Sequence, residues 1–218
     1  MSESESGRSR SVRHSRDDVA EAALRILDEY GLPDLTMRRL AAALDVQPSA
    51  LYWHFPNKQT LLAELADRIV ERERPVVQGD SGEPGDVRVA RSTDWITCTR
   101  AEAARLRDAL LAFRDGAEVV SSTFALGLGA SGPLVRLTAI IRAGGFDAET
   151  SARAAGTLLH FVLGHVSHEQ QRLQYDSLGV LAGDAHPDAL DEYGVQAEAF
   201  EFGVTLLVGG LQRLEVST

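Results

Sequence analysis

Apolar residues recur along most of the chain at the three- and four-residue spacing of amphipathic helices. Residues 16–30 illustrate this spacing, because one face of a helix there would carry Val19, Ala22, Ala23, Ile26 and Leu27. Alternating runs of β-branched residues joined by Asn-Gly turns, which mark strands, are almost absent from the sequence. The pattern therefore predicts an all-α protein.

Capping residues set the bounds of the predicted helices. Ser15 suits the N-cap of a first helix over 16–30, and Gly31 suits the position that follows its end. Thr36 suits the cap of a second, short helix that ends near Leu44. The later helices are predicted over 47–53, 57–74, 87–112, 133–143, 147–175 and from about 188 or 192 to 216.

Segments rich in glycine, proline and acidic residues separate these helices. Residues 78–86 and 178–187 have this composition and are predicted as loops. Residues 121–132 contain three glycines and are predicted as a loose stretch after a short helical piece. This stretch fits a flexible segment over a pocket and an ordinary surface loop equally well.

Charge is distributed unevenly along the 218 residues, although the net charge is −10. Residues 8–16 carry Arg8, Arg10, Arg13 and Arg16 and no acidic residue, whereas most of the acidic excess follows Pro75. A basic end on an acidic body can still bind DNA, because phosphate attraction acts within about 8–10 Å. We expect residues 1–14 to form a disordered basic arm, which also fits a solvated tail without a partner.

The cysteine content and the hydropathy indicate an intracellular protein. Cys98 is the one cysteine, so no internal disulfide can form, and we expect it to be a structural thiol. Residues 1–16 lack the apolar core of a signal peptide, and no apolar run approaches the ~18 residues of a membrane span. We therefore expect a cytoplasmic protein with no membrane partner.

Residues 36–58 carry the most informative pattern, two short helices joined by a tight turn. In a helix-turn-helix motif the second helix enters the major groove and its early residues meet base edges. Leu51 and Phe55 are four residues apart and can face the core, which leaves Tyr52 and Trp53 facing outward. Exposed aromatic residues are costly unless a partner such as the DNA backbone covers them. Periodicity fits equally well a small bundle with both rings in its core.

The order of residues in this tract resembles the DNA-binding signature of the tetracycline-repressor (TetR) family. The matching residues are Leu35-Thr36, Arg38, Leu40-Ala41, the run 51–55 (LYWHF) and Asn57-Lys58. The later part of the chain resembles the tetracycline-binding subfamily through Trp95, residues 113–117 (FRDGA), Gly145-Phe146, His160-Phe161 and residues 169–171 (EQQ). The resemblance covers most of the chain from Ser15 and is sparser after Pro75.

The resemblance implies a fold and a function. Family members are helical dimers that repress transcription from a palindromic operator and are released by a ligand in the C-terminal domain. For this chain it implies a three-helix DNA-binding domain over 15–62 and, after a linking helix, a ligand-binding and dimerisation domain over 63–218. The dimer is expected to form through helices near 148–175 and 192–216. No catalytic residue and no cofactor is expected.

The resemblance also assigns DNA contacts. Residues on the base or groove side are expected to be Arg38, Ser49, Ala50 and His54. Pro48, at the start of the helix that carries Ser49 and Ala50, is also expected at the DNA. Residues on the phosphate side are expected to be Thr36, Tyr52, Trp53 and Lys58. Lys58 would stand at the start of a helix, where backbone N–H groups add to the attraction for a phosphate.

The expected effector pocket departs from the subfamily at its metal site. By resemblance its lining residues are Arg74, Glu102, Leu106, Val120, Thr123, His160, Gly164 and His168. Val120 stands where the subfamily has a magnesium-binding histidine, and valine cannot bind a metal. The second magnesium contact, a glutamate in the subfamily, falls at His168, with Glu169 one residue later. We therefore expect a small organic effector other than magnesium-tetracycline, and no protein-bound metal.

A second interpretation rests on the histidines near residue 165. His165, His168 and Glu169 lie within about one helical turn, and His160 lies five residues earlier. Such a cluster could hold a divalent metal in a sensor or a hydrolase, although the H-E-x-x-H spacing of zinc proteases is missing. A polar helix face or histidines in a dimer interface explain the same residues.

Overall fold

The computed structural model describes residues 14–72, 95–177 and 189–215, and side chains over 14–72, 95–175 and 194–214. These ranges contain nine helices and no strand, which confirms the predicted all-α class. The helices are α1 Arg16–Tyr30, α2 Met37–Ala43, α3 Pro48–Leu51, α4 Lys58–Glu71, α5 Trp95–Leu111, α6 Gly116–Ala125, α7 Gly132–Ala143, α8 Ala148–Ser177 and α9 Ala189–Glu215.

Local hydrogen bonds explain where α1 and α2 begin. The hydroxyl of Ser15 accepts from the backbone N–H of Asp18, and the Asp18 carboxylate accepts in return from the backbone N–H of Ser15. Thr36 caps α2 by accepting from the backbone N–H of Arg39 at 3.1 Å. Both caps lie where the sequence predicts them.

Helix α3 is shorter than the sequence predicts. It comprises four residues, and Tyr52, Trp53 and His54 follow as a turn rather than as helix. The turn stays helix-like, because the backbone N–H groups of His54 and Phe55 both donate to the carbonyl of Leu51. Pro56 disfavours helical backbone in the residue before it, so the turn ends there.

Helix α6 corrects the prediction of a loose stretch over 121–132. Residues 121–125 belong to this helix, because Val119, Val120 and Thr123 are buried along one side of it. The three glycines all come later, at positions 127, 129 and 132, and only 126–131 form the connection to α7. Tertiary burial here outweighs the weak helix propensity of serine and threonine.

Helix α4 connects the N-terminal helices to the rest of the molecule. It packs on α1 and also contacts α5, α6 and α7. Helix α8 forms the centre of the second group and packs against α5, α6, α7 and α9. The buried apolar residues of both groups make one continuous core. Because this core is closely packed, a shift of α4 would change the packing in both groups of helices.

Candidate DNA-binding interface and effector domain

The surface that α3 presents combines small residues with two aromatic side chains. Leu51 and Phe55 are buried as the sequence predicts. Pro48, Ser49 and Ala50 are exposed, and so are Tyr52 at 50% and Trp53 at 90% of their surface. The interpretation that both rings belong to a bundle core is therefore wrong. Two large aromatic side chains beside small residues form a surface suited to a duplex backbone and groove.

Four further predicted contact residues surround α3. Thr36 and Arg38 are exposed at the start of α2. His54 is half-buried after α3, and Lys58 is half-buried as the first residue of α4. Lys58 stands at the start of α4, and a helix start favours a phosphate because its first backbone N–H groups have no partner within the helix.

Ion pairs fix α1 against α4 behind this surface. Glu64 accepts from Arg16 Nη2 at 2.9 Å and from Arg68 Nε at 3.0 Å, and Arg68 also donates to Asp17 at 2.5 Å. Partial burial raises the pKa of Glu64, but the hydrogen bonds from Arg16 and Arg68 outweigh burial and lower it overall. Arg16 thus has a partner inside the domain, with its guanidinium also over the ring of Phe55.

The basic arm predicted over 1–14 lies almost entirely outside the described residues. His14 is the first described residue, and its Nε2 lies 3.0 Å from the carbonyl oxygen of Leu44 at the end of α2. The chain therefore enters α1 beside the turn between α2 and α3. Arg8, Arg10 and Arg13 precede this point in the sequence.

The predicted effector-binding residues fall into two groups. Glu102, Leu106, Val120 and Thr123 are buried on α5 and α6. The three residues on α8 are exposed in the single chain, namely His160, Gly164 and His168. The ring of His160 lies 6.3 Å from that of Phe124, next to Thr123, so the two groups adjoin at this point. Arg74 lies outside the described residues.

Glu102 takes part in an ion cluster that is not predicted from the sequence. Its carboxylate accepts from Arg105 Nε at 2.9 Å, from Arg105 Nη2 at 2.8 Å and from Arg136 Nε at 2.8 Å. Burial raises the pKa of Glu102, but the hydrogen bonds from both arginines lower it below its ordinary value. Arg105 follows Glu102 by three residues, a spacing that indicates a helical pair; no sequence signal points to Arg136.

The histidine cluster does not form a metal site. His165 Nε2 lies 3.2 Å from the carbonyl oxygen of Gln196, and its ring packs between Phe161 and Phe200. The Glu169 carboxylate is buried and accepts from Arg107 Nη2 at 2.6 Å. Within the described residues, no group of three or more His, Cys, Asp or Glu side chains could hold a metal ion. The metal-binding alternative therefore has no support.

A second contact joins the N-terminal helices to the group of helices around α8. The backbone N–H of Leu32, after α1, donates to Asp115 Oδ2 at 2.8 Å in the turn before α6. Gln170 of α8 holds this turn, because its Nε2 donates to the carbonyl of Phe113 at 2.8 Å and its Oε1 accepts from the backbone N–H of Ala117 at 3.1 Å. No local pattern in the sequence indicates these contacts, because they join residues far apart in the chain.

Helices α8 and α9 present apolar residues on their outer faces. Val195, Phe202, Leu206 and Leu214 of α9 are all exposed. A groove of about 310 Å³ between the two helices is lined by residues that include Leu158, Leu207 and Leu211. In the ranges that the structure covers, no helix is both long enough and apolar enough to span a bilayer.

Comparison with known proteins identifies the family. Residues 19–65 match the model of bacterial regulatory proteins of the tetR family, and residues 90–214 match that of the tetracyclin repressor-like C-terminal domain. The tetracycline repressor protein class C of Escherichia coli is 32% identical over an alignment of 219 positions, which covers 93% of this chain and 93% of the relative.

Solved structures agree with the sequence comparison. The crystal structure of Mycobacterium smegmatis BioQ superposes with a TM-score of 0.73 at 39% identity, covering 91% of this chain and 97% of BioQ. BioQ with its double-stranded DNA operator superposes with a TM-score of 0.67 at 37% identity, covering 91% and 98%. Two family models and these relatives together span both groups of helices, so this chain belongs to the tetR family of bacterial transcription regulators.

Proposed function

We propose that this chain is a dimeric transcription repressor that binds a palindromic operator and is released from it by a small organic effector. The observation that carries the proposal is the surface of α3 and of the turn that follows it, where Trp53 is 90% exposed while Leu51 and Phe55 are buried. A relative has been crystallised with its operator DNA, and others are named tetracycline repressors, which supports both DNA binding and repression. Binding operator DNA places the protein in the cytoplasm.

Two sets of residues would share the work of DNA recognition. Base and groove contacts are assigned to Arg38, Pro48, Ser49, Ala50 and His54. Phosphate contacts are assigned to Thr36, Tyr52, Trp53 and Lys58. Base contacts specify sequence and phosphate contacts position the protein on the duplex, so substitutions in the two sets should have different effects.

Fluorescence anisotropy with duplexes from the DNA that flanks the gene tests this proposal. Lys58→Ala should weaken operator binding and make the slope of log K against log salt shallower by about 1.8, because a dimer loses two phosphate contacts at about 0.9 each. Arg100→Ala, an exposed substitution on α5, is the matched control and should change neither quantity. An unchanged salt slope for Lys58→Ala would show that Lys58 does not contact a phosphate.

The effector would bind in the C-terminal group of helices, within a domain that we place at 63–218 after a DNA-binding domain at 15–62. Leu106, Val120 and Thr123 supply a mostly apolar lining, and Val120 supplies hydrocarbon where a metal ligand would be needed for magnesium-tetracycline. Arg74, His160, Gly164 and His168 stay as proposed lining residues. The last three lie exposed on α8 in the single chain, and dimer formation or effector binding would cover them.

The metal independence of the effector response gives a direct test. Compounds that release the protein from its operator should act equally well in EDTA and in millimolar magnesium. Tetracycline with magnesium should not release it. A release that requires magnesium would contradict the proposed effector class while leaving operator binding intact.

A further inference from the structure

The end of helix α4 is held by two arginines from different helices. Arg105 of α5 donates from Nη1 to the carbonyl oxygen of Val70 at 3.0 Å, and Arg136 of α7 donates from Nη2 to the same oxygen at 3.4 Å. Val70 lies in the last turn of α4, where backbone carbonyls have no partner within the helix. Two guanidinium groups therefore meet at the end of the helix that links the two parts of the molecule.

The negative charge at this point is smaller than the positive charge. Within the described part of the chain, Arg105 and Arg136 share a single carboxylate, that of Glu102. The end of a helix adds about half a negative charge at most. Two guanidinium groups facing one carboxylate and one helix end keep a net positive charge.

The two arginine side chains of this cluster are more exposed to solvent than the Glu102 carboxylate. The side chain of Glu102 is 9% exposed, whereas those of Arg105 and Arg136 are 28% and 38% exposed. The bonds to Glu102 and Val70 engage Nε and Nη2 of Arg136, so the N–H groups of its Nη1 stay available as donors. A molecule that reaches the cluster from solvent meets the cations before the carboxylate.

We propose that the effector carries an acidic group, such as a carboxylate, and that Arg136 and Arg105 receive it beside Glu102. This inference rests on the proposed function, since it names the chemistry of the ligand that the effector domain senses. The same two guanidinium groups hold α4, so an anion that draws them away from the Val70 carbonyl changes the position of this helix. A ligand that binds the shifted state more tightly weakens operator binding by that difference in affinity.

Calorimetric titration of the full-length protein with benzoate and with its neutral analogue benzamide, at constant ionic strength and without DNA, tests the proposal. Benzoate should bind more tightly than benzamide, and Arg136→Gln should abolish this preference. Glu102→Gln should raise the affinity for benzoate by about tenfold or more, because it removes a like charge from the cluster. Arg142→Gln, an exposed substitution on the same helix α7, should retain the preference.

Equal binding of benzoate and benzamide to both the wild type and Glu102→Gln would overturn the proposal. Circular dichroism establishes that each variant is folded, and the Glu102→Gln result stands even if Arg136→Gln does not fold. Operator binding is measured separately. If it is intact while the preference for benzoate is absent, the acidic effector is wrong; if it is absent while the preference is intact, the repressor function is wrong.

Discussion

Gly31 fills a position where any side chain would be strained. Its backbone has φ 84° and ψ 174°, a region reached essentially by glycine alone. A Cβ atom added there would lie 2.8 Å from Asp115 Oδ2 and 3.3 Å from Arg114 Nε. The small residue lets the turn after α1 approach the turn before α6, where Asp115 accepts from the backbone N–H of Leu32.

Gly31→Ala should therefore lower the free energy of unfolding by about 2–3 kcal/mol, through backbone strain and the displaced Asp115 carboxylate. Gly127→Ala is the control, because Gly127 also has a positive φ of 67° but no atom within 4 Å of an added Cβ. The control should cost only about 1–2 kcal/mol. Urea denaturation measures both, and equal losses would show that the contact with Asp115 contributes nothing.

Glu169 is a buried charge whose contribution to stability depends on its partner. It accepts from Arg107 at 2.6 and 3.2 Å, and Arg107 also lies over the ring of Phe200. Glu169→Gln should lower the free energy of unfolding by about 3 kcal/mol, because it removes the charged acceptor from a buried, hydrogen-bonded ion pair. Glu149→Gln breaks an exposed pair with Arg153 and should cost less than about 1 kcal/mol. A similar loss in both variants, measured by urea denaturation, would contradict the role of burial.

Single residues with local partners could be predicted from the sequence, and residues with distant partners could not. Ser15 and Thr36 cap their helices through bonds to residues three positions away, which the sequence displays directly. Glu102 and Arg136 are 34 positions apart, and Asp115 and Leu32 are 83 apart. Contacts of that kind depend on how helices pack, which no local pattern encodes.

Hydrogen bonds hold helix α4 at its start, along its length and at its end. Asn57 caps its start by accepting from the backbone N–H of Thr60 at 2.8 Å. Asp67 in its middle accepts from the backbone N–H of Ala130 at 2.6 Å, and Val70 at its end accepts from Arg105 and Arg136. The helix thus contacts the connection between α6 and α7 as well as the side chains of α5 and α7.

The ion cluster at the end of α4 predicts how stability depends on pH. Because the pKa of Glu102 is lowered below its ordinary value of 4.5, its contribution is fully present above pH 4.5 and is lost as pH falls below that value through the folded-state pKa. Glu102→Gln should therefore be less stable than the wild type at pH 6, and the difference should shrink towards pH 3. Urea midpoints across this range measure it, and a difference that does not change with pH would contradict the prediction.

Element boundaries followed from the sequence where caps and core spacing agree. The start of α8 matches, because Asp147 Oδ1 accepts from the backbone N–H groups of Glu149 and Thr150. Residues 121–125 are predicted as part of a loop but belong to helix α6, which burial of Thr123 stabilises in spite of their serine and threonine content. The identity of the DNA-binding segment came from the order of residues 51–58, which periodicity alone left ambiguous.

At the scale of the whole molecule, the apolar outer faces of α8 and α9 suit a second copy of the chain. Phe202→Glu would place a charge on that face and should convert the dimer into monomers with at least tenfold weaker operator binding, because both half-sites must be held by one dimer. Val135→Glu on α7 is the control, because Val135 is 63% exposed and Phe202 is 66% exposed, so both variants add a charge at a similarly exposed apolar site. Analytical ultracentrifugation checks the result; a dimeric Phe202→Glu variant would contradict this interface.

Trp53 follows α3 directly, so its fluorescence can report the proposed contact of this segment with operator DNA. The chain has two tryptophans, and Trp95 is buried against Phe146, so Trp95→Phe leaves Trp53 as the only fluorophore of its kind. Titration of this variant with the operator duplex should change the Trp53 emission and saturate at two chains per duplex, while a scrambled duplex at equal ionic strength should leave it unchanged. Operator binding without any change in Trp53 emission would contradict the account.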